Sequence, residues 1–528
     1  MYLGLDASTQ SISGIIIDPA NGSIIAEASI NFGNTLPEYQ SPSGFLPNGE
    51  NGEVHADPGM WLDALELLLD QLKEQTDLSK IKAISGAGQQ HATVYLNNSF
   101  TSTLAALTPE KPLSEQIQPT LSRSTAPIWM DSSTSEECAE IAQALGGDEQ
   151  VCAISGSTAT PRFSGPQIRK FAKTDPASYA ATTLIHLNSS FFASVLAGKS
   201  SPIDLGDGAG MNLVNLTNAN WDPALLEATA PNLVDKLPPL ASSGSFVSNI
   251  SSYFVEKYGF QPDCRILTWT GDNPASLVGM GAAHPGKLVI SLGTSDTLFA
   301  AMPEALTDPN GYGHVFGNPL GGFMTLTCIA NGSLARETVK ENDKLSWNDF
   351  ERDSIASQPA GNNGKFALPF FIPEITPRVS PNELVTNNWD YATADTATKV
   401  RGVLEGQFLN IRYNTEWLEL TPETVLLTGG ASKNTGIAQC AANVFQAETK
   451  RINVSSSVAL GGAFLAAIDS GYNYDSLVEQ FCPTAPHSTV QPESDSNFYP
   501  SHRSELEAII QQLCSNERAS QQDCVLTP

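Results

Sequence analysis

The sequence predicts an α/β protein built as two domains of similar plan. Three features carry that expectation: a strand meander at the start, a strand–helix–strand passage behind it, and a second hairpin near residue 288 that repeats the first. A chain of 528 residues exceeds one ordinary core, and domains of roughly 100–250 residues imply two or three.

The first element is a buried strand, Tyr2 to Asp6, followed by the small-polar turn Ala7-Ser8-Thr9-Gln10. An apolar run from Ile12 to Ile17 ends in Asp18-Pro19-Ala20-Asn21-Gly22, and a β-rich run from Ser23 to Phe32 completes the meander. Asn34 to Gly52 is rich in Pro, Gly and Asn and reads as loop. A helix follows, with Asp57 as N-cap, Pro58 at the first helical position, and Trp61, Leu65, Leu68 and Leu72 on one face. Ile81 to Ser85 reads as a short buried strand and Gly86 to His91 as the loop behind it.

Near 288 the pattern recurs. Leu288 to Leu292 reads as a strand, Gly293-Thr294-Ser295-Asp296 as a tight turn, and Thr297 to Ala301 as a second strand. A shift of 285 positions lays Ser8-Thr9 on Gly293-Thr294. Thr424 to Thr428 is a further buried strand, running into Gly429-Gly430-Ala431-Ser432 and a helical stretch from Asn434 to Gln446. Leu460-Gly461-Gly462-Ala463 reads as a helix start. Beyond about Asp475 the chain turns polar, with a helix near Glu505 to Leu513.

Composition bounds the function. Hydrophobic residues make up 41% and charged residues 16%, enough apolar material for large cores. Lys+Arg 28 against Asp+Glu 56 leaves a formal charge of −28, a field that repels phosphate backbones and anionic lipid. Nucleic acid and membrane are thereby poor partners, and a bound nucleotide would be held by local backbone amides and metal. The eight cysteines show no CxxC or zinc spacing and read as reduced thiols. With no apolar run approaching 20 residues and no leader-like start, a soluble cytoplasmic protein is expected.

Three small-residue turns, Asp6 to Gln10, Ser291 to Asp296 and Thr428 to Ser432, each follow a buried strand. Such turns let backbone N–H groups wrap an anion, although none is a Walker loop or a GxGxxG fingerprint. Asp6 reads either as a turn-capping carboxylate or as a ligand for Mg²⁺ riding on nucleotide phosphates. Asp272, in Gly271-Asp272-Asn273-Pro274, reads either as a helix N-cap or as a base that accepts a hydroxyl proton during phosphoryl transfer. His91, after Gly88-Gln89-Gln90, is either a surface loop histidine or a hydrogen-bonding partner for a polyol, and Arg162 either a salt-bridge cation or a site residue. The absence of HExxH, GxSxG and paired carboxylates leaves a hydrolase without support.

Taken in order, Asp6-Ala7-Ser8-Thr9-Gln10, Gly88-Gln89-Gln90-His91, Trp129-Met130-Asp131, Gly271-Asp272-Asn273-Pro274, Ser291-Leu292-Gly293-Thr294-Ser295 and Gly429-Gly430-Ala431-Ser432 resemble the signature of FGGY carbohydrate kinases. The stretches at 201–204, 211–213 and 331–334 resemble the eukaryotic xylulose kinase branch, and the likeness spans roughly residues 1 to 470. Two departures stand out: Ser8 where many relatives carry Gly, and Ala92 after His91 where Gly is usual.

The resemblance implies a two-domain actin-like (ribonuclease H-like) ATPase fold with an interdomain cleft. A sugar-binding domain would span residues 1–275 and include the first phosphate hairpin. A nucleotide-binding domain would span 276–470, and an extension over 471–528 would lie back on the core. His91, Arg162, Asp272 and Asn273 would hold the sugar, with Asp272 as the base. Ser8, Thr9 and Gln10, with Gly293, Thr294 and Ser295, would form the two phosphate hairpins. Gly429, Gly430, Ala431, Asn434 and Trp347 would face the nucleoside, and Asp6 the Mg²⁺. The implied reaction is ATP-dependent phosphorylation of D-xylulose by a monomer or homodimer. The competing readings are a kinase for ribulose, glycerol or gluconate, or a non-catalytic actin-like ATP-binding protein.

Overall fold

The computed structural model describes residues 1–47, 49–355, 357–454, 456–494 and 496–526, with the side chains of 352–354 and 519–526 left aside. The N-terminal sheet is built from β1 (Tyr2–Ala7), β2 (Ser11–Asp18), β3 (Ser23–Asn31), β4 (Ala83–Gly88), β5 (Phe246–Asn249) and β6 (Arg265–Leu267). The helix α1 (Pro58–Gln75) packs on its outer face, capped by the Asp57 side chain on Gly59 N–H. Sheet order is β5-β6-β4-β1-β2-β3. The meander β1–β2–β3 is antiparallel, while β4 and β6 join parallel to it. Thr270–Gly271 extends the pairing beside β4 and leads into α2 (Asp272–Gly279).

A second sheet repeats this plan. It contains β7 (Lys287–Leu292), β8 (Asp296–Met302), β9 (His314–Gly317), β10 (Phe323–Ile329), β11 (Thr424–Thr428) and β12 (Glu448–Arg451), in the order β9-β10-β8-β7-β11-β12. Here too an antiparallel meander, β7–β8–β10, is continued by two parallel strands. The 285-position shift seen in the sequence carries Tyr2–Ala7 onto Lys287–Leu292. The repeat is therefore a repeat of topology, even though few letters are shared. Strands at the parallel centre, such as β4 and β7, are buried on both faces, which is why they read as apolar runs without alternation.

Helices α3 (Ser333–Asn342), α4 (Thr396–Asn414) and α5 (Thr435–Phe445) serve the second sheet, and α6 (Ser457–Asp469) crosses back to the first. The Gly461-Gly462 pair lies inside α6 and does not begin it. Its purpose is close approach. A Cβ at Gly461 would meet Ala275 O at 2.0 Å, one at Gly279 would meet Ser457 O at 1.8 Å, and one at Gly4 would meet Ala459 O at 1.9 Å. Two helices and a strand thus touch backbone to backbone beside Asp272.

Other expectations shift as well. Gly86-Ala87-Gly88 continues β4 and is not loop, because Ala87 and Gly88 pair with Thr270 and Gly271. The stretch read as loop from Asn34 holds short helical turns at Phe32–Thr35 and Pro37–Tyr39. After residue 470 the structure adds α7 (Tyr474–Phe481) and a long α8 (Tyr499–Leu526), in which the helix expected near 505–513 is one portion. Tyr499 Oη donates to Glu416 Oε1 at 2.6 Å, and Arg503 pairs with the same carboxylate. Seven cysteines are free thiols, and the side chain of Cys524 lies outside the described residues. Among the described residues no helix is long and apolar enough to cross a membrane.

Candidate active site

Asp272 is the first residue of α2, and the N-cap position belongs to Gly271. The capping alternative is therefore one residue out of register. Asp272 Oδ1 accepts from the Asn273 N–H at 2.8 Å and from Asn273 Nδ2 at 2.9 Å. Burial, and after it the charge of Asp6, raises its carboxyl to about 7 against the opposing N–H groups of Asn273 and Gln90. Asp6, near the end of β1, is itself pushed up to about 6 by burial, with the Ser8 hydroxyl donating to it at 2.7 Å. Two partly buried carboxyls from different elements thus face one another, and one of them titrates near neutrality. That is a suitable setting for a general base.

Next to it lies a polar pocket. Asn273 Nδ2 also donates to Gln90 Oε1 at 2.7 Å, fixing the amide of a residue that is almost fully buried. His91 is buried too, not a surface residue. Its φ of 71° lies in the left-handed region, an uncommon backbone state for a residue with a side chain. Its Nδ1 lies 2.7 Å from Gly210 O, so that nitrogen carries the proton and Nε2 is left as an acceptor. Its ring stacks on Phe163 at 4.2 Å. Burial, then the charge of Arg162, lowers the imidazole to about 3, so His91 is neutral at physiological pH. Among the described residues Arg162 makes no ion pair; its Nη2 donates to His314 Nε2 at 3.1 Å.

The first turn borders this pocket. Thr9 Oγ1 donates to Gln89 Oε1 at 3.3 Å and accepts from Trp129 Nε1 at 2.8 Å, while Gln10 is exposed. Trp129 and Met130 are unusually exposed for their size. Asp131 from the same motif is used structurally: against the effect of burial, hydrogen bonds from His55, Ser133 and Val54 hold it well below the usual carboxylate range.

Against the second sheet lies a cavity of about 580 Å³ lined by Gly293, Thr294, Trp347, Gly430, Ala431 and Asn434, together with Arg336 and Lys433. Six residues singled out in the sequence therefore converge. Ser295 and Gly429 flank this group without lining the cavity. Asn434 caps α5 by accepting from Ile437 N–H at 2.9 Å, and Gly430 has open space where a Cβ would stand. The volume suits a nucleotide-sized ligand. Sequence reading missed Arg336 and His314 and gave Gln90 only as part of a motif; each acts through partners far away in the chain.

A duplicated sheet with a nucleotide-sized cavity on one copy and a carboxylate-bearing polar pocket on the other defines an actin-like phosphotransferase. The chain belongs to the FGGY family of carbohydrate kinases: residues 1–279 match the family's N-terminal domain and residues 288–470 its C-terminal domain. It is 39% identical over 472 residues to xylulose kinase of Rattus norvegicus, covering 88% of this chain and 87% of that protein. It is 37% identical over 487 residues to xylulose kinase 2 of Arabidopsis thaliana, covering 88% and 87%. Among solved structures, xylulose kinase from Rhodospirillum rubrum superposes with a TM-score of 0.80 at 18% identity, covering 98% of this chain and 99% of that one; at that identity it speaks to the fold alone.

Proposed function

We propose that this kinase transfers the terminal phosphoryl group of ATP to D-xylulose, giving D-xylulose 5-phosphate and ADP. The observation that carries the reading is Asp272, a partly buried carboxyl raised to about 7 at the junction of the polyol pocket and the phosphate turns. Its ionised form takes the proton of the sugar's terminal hydroxyl as that oxygen bonds to phosphorus and the bond to the ADP oxygen breaks. His91 Nε2 and Asn273 Oδ1 accept from sugar hydroxyls, while Arg162 donates to another. Gly293 and Thr294 meet the phosphates from one side and Ser8 and Thr9 from the other, and Trp347, Gly430, Ala431 and Asn434 surround the nucleoside. The names of the rat and Arabidopsis relatives support the choice of sugar.

Among the described residues no three His, Cys, Asp or Glu side chains converge into a cage. That fits a cation carried in on the nucleotide phosphates with few protein ligands, as is usual for Mg²⁺. Asp6 is the residue that would hold it, its carboxyl engaged among the described residues by the Ser8 hydroxyl alone. When bound, Mg²⁺ neutralises charge on the transferred group and on the leaving oxygen.

The test is a coupled ADP-release assay with D-xylulose, ribulose, glycerol and gluconate, with and without Mg²⁺. D-Xylulose is expected to give the highest kcat/KM by at least about tenfold, the discrimination of one well-placed group. A higher value for another polyol would overturn the substrate assignment.

A further inference from the structure

Arg162 presents an unusual situation: a guanidinium deep in the polar pocket with no carboxylate beside it among the described residues, and with His314 as its hydrogen-bond partner. The two side chains come from different halves of the chain. Arg162 follows the segment at 156–158 in the N-terminal half, whereas His314 begins β9, the edge strand of the second sheet. The halves are joined here by main chain as well, since the Val315 N–H donates to Gly156 O at 3.0 Å. A Cβ at Gly156 would come within 2.8 Å of Val315 O, so glycine keeps this joint closed.

Hydrogen-bond chemistry fixes the state of His314. A guanidinium only donates, so Nε2 must accept and the proton must sit on Nδ1, 3.0 Å from Ser157 Oγ. Burial, then Arg162, then His91 hold the imidazole well below its ordinary range, which keeps it neutral. Phe163 lies between the two histidines, 4.2 Å from the His91 ring and 5.3 Å from that of His314. A carboxylate in place of His314 would neutralise Arg162 and draw in several of its donors. A neutral imidazole occupies one N–H and leaves the charge and the remaining donors free.

We infer that His314 is a positioning residue for the sugar: from the nucleotide-side sheet it orients the Arg162 guanidinium so that its other N–H groups face the substrate. The inference rests on the proposed contact between Arg162 and sugar. It also makes the sugar site dependent on both halves of the chain, because the partner that aims Arg162 belongs to the second sheet.

The experiment is steady-state kinetics on H314F, H314Q, R162A and the double variant R162A/H314F, with D-xylulose and ATP varied separately. H314F keeps ring volume against Phe163 and Phe316 but cannot accept a hydrogen bond, and H314Q restores an acceptor. H314F is expected to raise the KM for xylulose about tenfold, the effect of one hydrogen bond to a charged group, with the KM for ATP within about twofold. H314Q should recover most of that loss, and H314F should add nothing in the R162A background. An unchanged sugar KM in H314F, no recovery in H314Q, or the same penalty in both backgrounds would overturn the inference. An unchanged sugar KM in R162A itself would instead remove the parent assignment of Arg162.

Discussion

The charge of Asp6 acts on Asp272 across the first turn, adding to burial in raising the Asp272 carboxyl to about 7. Only the ionised Asp272 can accept a proton, so kcat/KM for the sugar should rise with pH through about 7. Asp6→Asn removes the neighbouring negative charge, and the rising limb should move to lower pH, alongside a fall in kcat from loss of the Mg²⁺ contact proposed for Asp6. A pH–rate profile measured for both proteins reads this directly. An unmoved limb would mean that burial alone sets the Asp272 carboxyl.

The same raised carboxyl has a cost in stability. In the unfolded chain Asp272 ionises near 3.8, while in the fold it stays protonated until about 7. Stability therefore declines as pH rises across that window and remains lower above it. Asp272→Asn keeps the shape and removes the titration, so its gain in Tm should be larger at pH 8 than at pH 4. Its kcat should fall by about 10²–10⁴-fold, the usual consequence of losing a general base. Equal changes in Tm at the two pH values would contradict the buried-acid account.

His91 should affect binding and leave the pH profile alone. Its imidazole is lowered to about 3 and its Nδ1 is committed to Gly210 O, so it is a neutral acceptor from pH 5 to 9. His91→Ala is expected to raise the KM for xylulose by about five- to tenfold, the net value of one neutral hydrogen bond, while the pH of half-maximal kcat/KM stays in place. A displaced limb in this variant would assign the titration to His91 in place of Asp272.

How far the sequence discloses this site depends on how local each signal is. The turn at Gly293-Thr294 and the one at Gly430-Ala431 were legible because an apolar strand and the small residues after it lie within ten positions, and both line one cavity. His314 was not legible, because its meaning comes from Arg162, 152 positions earlier. Gly461-Gly462 was misread for a physical reason: glycine's poor helix propensity marks helix ends in most contexts, yet here the demand for backbone contact with Ala275 outweighs it. The sequence also could not set aside a capping role for Asp272, since that rests on one residue of register.

That glycine contact leads to a packing prediction. Gly461→Ala would put a Cβ 2.0 Å from Ala275 O, which is main chain and cannot swing aside. Overpacking of this kind costs about 1–3 kcal/mol, measurable as a lower urea midpoint. Because Ala275 lies in α2 three residues beyond Asp272, the displacement should reach the base, and kcat should fall in whatever fraction remains folded. Wild-type kcat at reduced stability would show that α2 moves without carrying Asp272.

Arg336 and Asp296 make the last case, on the wall of the nucleotide cavity. Asp296 starts β8 directly after the Gly293-Thr294-Ser295 turn, and its two oxygens accept from Arg336 Nη2 at 2.8 Å and Nη1 at 2.9 Å. Ser333 Oγ and Gln407 Oε1 accept the remaining Nη donors, and both partners of the pair are almost fully buried. Removing one member strands a charge in the core, so Arg336→Met should destabilise the fold by about 3–5 kcal/mol. Asp296→Asn combined with Arg336→Met leaves no stranded charge and should be milder than the two single changes added together. If the pair also shapes the turn before it, the double variant, though folded, should bind ATP more weakly than wild type with an unchanged KM for xylulose. An ATP KM equal to wild type in that double variant would confine the pair to stability.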